Sequence, residues 1–273
     1  ANSVAVAMSY VGGVASPVMI VIDNGTTKAV SSAKLNPDTG AWSAVTTIES
    51  LAAQGGAFMS ADFSTTSNLI TAAYQVLTTG GVRVRYVAST DGTTWPTNGS
   101  TPYSVSGLAQ GEGVVIKINP VTGLPGIAYY DRANSRAYYA VCGSNCTGSG
   151  IPTFSGTSNA VLSGLGITGL SAVGNANLLN AGLTYSSTGD AYLVYNSGQL
   201  DRGGLYLVDN VGGTMPSAAG VELVGGINGA FSNASATNGG IPWGQSVVRM
   251  PNGVLAAAYN SVGDWLGVTT CGD

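Results

Sequence analysis

The chain has 273 residues, 44% of them hydrophobic and only 8% charged, with a net charge of −4 and no histidine. That length allows one large domain with a proper core, and so few charges leave the surface to Ser, Thr, Asn and Gly. A thin negative charge without a basic patch excludes nucleic acid, whose phosphates need clustered Lys and Arg; the lack of histidine excludes Ser-His-Asp and Cys-His nucleophile systems and the common His-bearing zinc sites.

Glycine is abundant, at 41 residues, and together with Thr, Val and Tyr it favours strands and turns over helices. No stretch shows sustained helical periodicity or approaches the ~20 apolar residues of a membrane span, so membrane insertion is not expected. The chain opens on "ANSVAVAMSY", already a strand pattern rather than a signal peptide. Three cysteines and a weakly charged, polar surface point to export to the cell surface or medium.

In chain order, one pattern recurs. "PVMIVID" (17–23), "LITAAYQ" (69–75), "PGIAYYD" (125–131), "AYLVYN" (191–196) and "VLAAAYN" (254–260) are apolar runs that close on an acid or amide. Those closing residues are Asp23, Gln75, Asp131, Asn196 and Asn260, about 50 to 65 residues apart. Before the later runs lie a strand and a tight turn: "GVVIKINPVTG" (113–123), "AGLTYSSTG" (181–189) and "SVVRMPNG" (246–253). After them come third strands at 82–90, 136–142, 204–210 and 265–271. Weaker fourth strands follow at 44–49, 102–107, 160–164 and 221–226. Four short strands per unit predict an all-β chain: one β-propeller of five blades, each of four antiparallel strands, with approximate blades 1–50, 51–107, 108–164, 165–226 and 227–273. A β-sandwich accounts for short strands but not for the repeated four-strand order.

"NPDTGAW" (36–42) and "STDGTTW" (89–95) fall between third and fourth strands. They resemble the Asp-box, the S-x-D-x-G-x-x-W turn of sialidase-like propellers, with Asn36 in place of the Ser and the second copy one residue short. The unit "IAYYD…AYYAVCGSNC" also resembles a repeat of bacterial extracellular propellers. These resemblances imply a propeller fold and a secreted bacterial repeat protein. They do not imply sialidase activity, because the Asp-box is a folding element.

Cys142 and Cys146 bracket a short turn that a disulfide can close, pinning the exit of the third strand. Two thiols without His cannot complete a zinc tetrahedron, so no metal and no cofactor are expected. Cys271 ends its own third strand two residues before the sequence stops. Three readings stay open: the natural chain continues, the last blade is short, or a neighbouring domain or subunit completes it.

The strand order predicts one face carrying both the loops between second and third strands and the crossings between blades. Asp23, Gln75, Asp131, Asn196 and Asn260 are expected to ring that face, either as strand-end caps or as a polar cup whose carboxylates and amides match sugar hydroxyls. The long crossings at 163–179 and 225–244 open onto it, the latter with Phe231 and Trp243 as stacking surfaces or inter-blade packing. An enzyme needs more. Of the arginines Arg83, Arg85, Arg132, Arg136, Arg202 and Arg249, only Arg249 falls on a predicted inner strand, so the arginine triad of sialidases is missing. The carboxylates Asp23, Asp62, Glu112 and Asp131 form no evident acid–base pair. The expectation is a non-catalytic recognition or adhesion propeller for a glycan or other cell-surface ligand. The alternatives are a glycoside hydrolase and a purely structural display domain.

Overall fold

The computed structural model describes residues 3–26, 28–51, 55–78, 81–96, 103–104, 112–131, 136–147, 150–155, 181–197, 204–210, 221–223, 245–261 and 265–271. They form five antiparallel sheets in succession. The first holds β1 (Ser3–Val11), β2 (Val14–Asp23), β3 (Ala29–Lys34) and β4 (Thr46–Ser50). The second holds β5 (Gly56–Ser64), β6 (Leu69–Thr78), β7 (Gly81–Ser89) and β8 (Tyr103–Ser104). The third holds β9 (Glu112–Ile118), β10 (Pro125–Asp131), β11 (Arg136–Ser144) and β12 (Thr153–Ser155). The fourth holds β13 (Ala181–Tyr185), β14 (Ala191–Ser197), β15 (Gly204–Asn210) and β16 (Val221–Leu223). The fifth holds β17 (Gln245–Arg249), β18 (Leu255–Ser261) and β19 (Trp265–Cys271).

Strands pair in chain order within each sheet, and the first strands of successive sheets lie side by side: β1 with β5, β5 with β9, β9 with β13 and β13 with β17. This is a β-propeller, with first strands inside and fourth strands at the rim. Among the described residues the last blade has three strands. One fourth strand differs from the sequence expectation. It was expected at 160–164, which lies outside the described residues; β12 occupies 153–155 instead. The tight turn after β11 returns the chain at once, and Phe154 pairs with Cys142 and sets its ring edge-on to Tyr86, centroids 5.2 Å apart.

Alternation in the strands makes the seams. Val18, Ile20 and Ile22 on one face of β2 are fully buried against Ile70, Ala72, Tyr74 and Val76 of β6. The other face of β6, with Leu69 and Ala73, closes on Ile116 of β9 and Ile127 and Tyr129 of β10. Each such aliphatic side chain contributes about 1.5–3 kcal/mol by leaving water. With packing partners on both sides, β6 is buried on both faces from Leu69 to Val76 rather than alternating.

Cys142 and Cys146 are bonded to each other, with Cα atoms 6.0 Å apart, as expected from their spacing. The bridge ties the end of β11 to the turn that follows. The Tyr86 hydroxyl of the second blade donates to the Cys146 carbonyl, fastening that turn to its neighbour.

Candidate functional site

The first blade shows how the face at the second-strand ends is built. Asp23 is the last residue of β2 and pairs with Ala29. Its Oδ1 accepts the Gly25 N–H at 2.8 Å, an Asx turn that opens the loop to β3. Asn24 then reaches the next blade: its Nδ2 donates to the Gly56 carbonyl at 2.7 Å and its Oδ1 accepts the Gly56 N–H at 2.8 Å. Leu51 N–H donates to the Lys28 carbonyl at 2.7 Å. The loop between second and third strands and the crossing into the next blade therefore share one face.

Gln75 is placed differently from Asp23. β6 continues to Thr78, which pairs with Gly81, so Gln75 lies three residues inside the strand. It is buried, on the face of β6 that bears Leu69 and Ala73 and looks toward the third blade. Asp23 shares its face of β2 with Met19 and Val21, away from the second blade, and lines a shallow depression of about 270 Å³ there. The two side chains do not converge. Asp131 pairs with Arg136 at the last register of β10, while Asn196, paired with Leu205, and Asn260, paired with Leu266, each lie one register inside the end of their strands. Trp243 and Phe231 lie outside the described residues.

The described carboxylates are mostly held by the fold. Asp62 Oδ2 accepts the Ile118 N–H at 2.7 Å, and Oδ1 stands 3.6 Å from Lys117 Nζ, which stitches β5 to β9. Asp190 Oδ2 takes the hydroxyls of Thr188 at 2.7 Å and Ser186 at 3.2 Å. Glu49 on β4 accepts the Tyr74 hydroxyl at 3.0 Å and faces Arg85 Nε at 3.5 Å. Burial pushes the Glu49 carboxyl up, against the opposing pull of Arg85 and the Tyr74 hydrogen bond. A tyrosine, a carboxylate and an arginine could in principle serve glycoside chemistry. Here Tyr74 is fully buried in the seam between two blades, so no substrate reaches it, and the trio is structural.

The opposite face carries the two Trp-ended turns, and they differ. In the second, Ser89 Oγ accepts the N–H groups of Asp91 and Gly92, while Asp91 Oδ1 accepts those of Thr93 at 2.8 Å and Thr94 at 2.7 Å. Partial burial alone would raise the Asp91 carboxyl; the hydrogen bonds from Thr94, Thr93 and Ser89 outweigh it and hold it down at about 2. Trp95 is buried at 8% exposure, and its Nε1–H donates to Ser32 Oγ of the first blade at 2.8 Å. Gly92 (φ +77) sits so close to Val18 that a Cβ would come 2.5 Å from its Cγ2, so both backbone conformation and space require glycine.

In the first turn, Asn36 Oδ1 takes the serine's role and accepts the N–H groups of Asp38 and Thr39. The next two N–H groups go elsewhere: Gly40 donates to the Asn36 carbonyl and Ala41 to Thr39 Oγ1. Asp38 is therefore not needed inside its own turn. It is exposed, and Trp42 is 48% exposed. Both line an open groove of about 500 Å³ with Val14, Lys34, Thr39 and Thr93. The sequence marked these turns as folding elements only. Nothing in their seven residues separates Trp42 from Trp95, whose fate depends on Ser32 in another blade.

No family model matches the chain, and no curated protein matches it. Among solved structures, it is similar to a protein of unknown function from Dyadobacter fermentans DSM 18053, at 14% identity and TM-score 0.53, over 98% of this chain and 77% of that one. It is also similar to the α-L-arabinofuranosidase from Podospora anserina in complex with cellotriose (11% identity, TM-score 0.49, 80% of this chain and 64% of that one). A third is the exo-β-1,3-galactanase from Phanerochaete chrysosporium with galactose (11% identity, TM-score 0.48, 97% and 59%).

Proposed function

We propose that this chain is an exported, carbohydrate-recognising propeller that binds its ligand without cleaving it. The observation that carries this reading is the use of the carboxylates whose side chains the structure describes. Asp23, Glu49, Asp62, Asp91 and Asp190 each serve a turn or a seam and Asp38 alone among them is turned to solvent, so no acid–base pair among these six faces a common cleft. The proposed ligand face is that of the second-strand ends, with Asp23, Asp131, Asn196 and Asn260 at its rim and Gln75 set back in the seam. The Asn24–Gly56 pairing supports it by bringing hairpin loop and crossing segment to one face. The turns at 36–42 and 89–95 are read as Asp-box elements of a sialidase-like propeller, supported by the paired side-chain and backbone bonds of Ser89 and Asp91. Export is supported by the Cys142–Cys146 bridge, which persists in oxidising compartments.

One observation favours a second reading, glycoside hydrolysis. The register of β9 and β10 sets Glu112 opposite Tyr130, next to Asp131, so two carboxylate residues stand at the same end of adjacent strands. A glycan array run beside a hydrolysis screen separates the readings. Binding without turnover supports recognition. Turnover that disappears in Glu112→Gln and in Asp131→Asn supports the hydrolase and sinks recognition alone. Silence in both assays leaves neither reading standing and favours a structural display domain.

A further inference from the structure

We infer that the groove beneath the first Trp-ended turn, on the face opposite the second-strand ends, is a binding site for a neutral pyranose saccharide; this rests on the reading of the protein as a carbohydrate binder. The argument begins with the two turns. In the second, the carboxylate of Asp91 caps two backbone N–H groups and the indole of Trp95 is buried on Ser32. In the first, the same two positions, Asp38 and Trp42, are released from those tasks and turned to solvent along one groove. Trp42 is half-exposed in the wall of this groove, and the electron-rich face of an indole suits the C–H face of a sugar ring.

The polar lining fits the hydroxyls at the edge of such a ring. Asp38 offers two acceptor oxygens, and Thr39 and Thr93 add hydroxyls to the lining. A volume of about 500 Å³ lies within the ordinary range for small-molecule sites. Charge selects among sugars. Lys34 is the cation in the lining, and its ammonium already donates to Ser9 Oγ at 3.2 Å and the Asp91 carbonyl at 3.0 Å. Both acceptors are neutral, so Lys34 keeps its charge and offsets that of Asp38; a lining with no excess cation offers a uronate or sialate no counter-charge and suits neutral sugars.

The test uses the full chain and soluble oligosaccharides: cellohexaose, xylohexaose, mannohexaose, arabinohexaose and a β-1,4-galactotetraose, with a galacturonate trimer as the acidic comparison. Acrylamide should quench Trp42 emission in the free protein, read as the difference between wild type and Trp42→Phe. At least one neutral probe should then shield that emission, and Trp42→Ala and Asp38→Ala should each weaken its calorimetric affinity about tenfold or more. Inaccessibility of Trp42 to acrylamide overturns the site, because the indole then belongs to a blade seam. Neutral-probe affinity unchanged in both alanine variants overturns the site while leaving carbohydrate recognition intact. A wild type that binds none of the probes overturns the recognition reading and the groove with it. Preference for the galacturonate trimer contradicts the assignment to neutral sugars.

Discussion

Trp95 donates its indole N–H to Ser32 Oγ at 2.8 Å across the seam between the first two blades. Ser32 is buried, so its loss strands a polar N–H in an apolar seam. Ser32→Ala should therefore cost about 1–3 kcal/mol, read as a lower urea midpoint. Trp42→Phe, at the matching position of the exposed turn, should stay within about 0.5 kcal/mol of wild type. Equal effects at the two sites would contradict the distinction drawn between the turns.

Arg85 and Tyr74 together hold the Glu49 carboxylate in the same seam. Removing a partner from a buried ion pair costs about 3–5 kcal/mol, so Arg85→Met is expected to be among the more damaging single changes. Its effect should depend on pH in a defined direction. Burial already raises the Glu49 carboxyl, and Arg85 is the main restraint on that rise. A carboxyl raised in the folded state favours folding when protonated and loses that advantage as pH rises. Denaturation of Arg85→Met should thus show a smaller loss at pH 4 than at pH 8; the same loss at both would remove Glu49 from the explanation.

Asp91 has the opposite sign. Its folded carboxyl, held at about 2, lies below the ordinary value of 3.8. The turn's contribution is then complete above the ordinary value and fades as pH falls toward the folded one. Asp91→Ala should flatten the stability profile between those limits and lower stability at neutral pH. An acid limb as steep as wild type's would assign that limb to other groups.

The Cys142–Cys146 bridge closes a loop with a sequence separation of 4. Chain entropy over so short a loop is worth about 2 kcal/mol. The double variant Cys142→Ser with Cys146→Ser should remain folded, with a lower melting temperature that dithiothreitol no longer shifts. Complete unfolding would mean that the third blade depends on the bridge far more than loop entropy allows.

The repeat was legible because all five second strands are apolar runs that meet an acid or amide at or near their ends, and because the turns between strands are rich in Gly, Asn and Asp. The exact register of β6 was not. Aligning "AAYQ" with "AYYD" sets Gln75 against Asp131, yet the buried faces set Tyr74 against Tyr129, both looking toward the preceding blade. By that register Val76 is the counterpart of Asp131. A strand buried on both faces has no polar alternation to fix its phase, and a slip of one residue moves every side chain to the other face. The groove at Trp42 was hidden for another reason. Its turn carries the same Asp and closing Trp as the turn at Trp95, and the tertiary neighbour of each indole separates a seam from a surface.

Native electrophoresis through gels cast with soluble xylan, arabinan, galactan, mannan or mixed-linkage β-glucan reads binding and cleavage in one experiment. Retardation reports binding, and a cleared zone after staining the polysaccharide reports hydrolysis. The protein should be retarded in at least one of these gels and leave its polysaccharide intact. A cleared zone, or unaltered migration in every gel, would contradict carbohydrate recognition without cleavage.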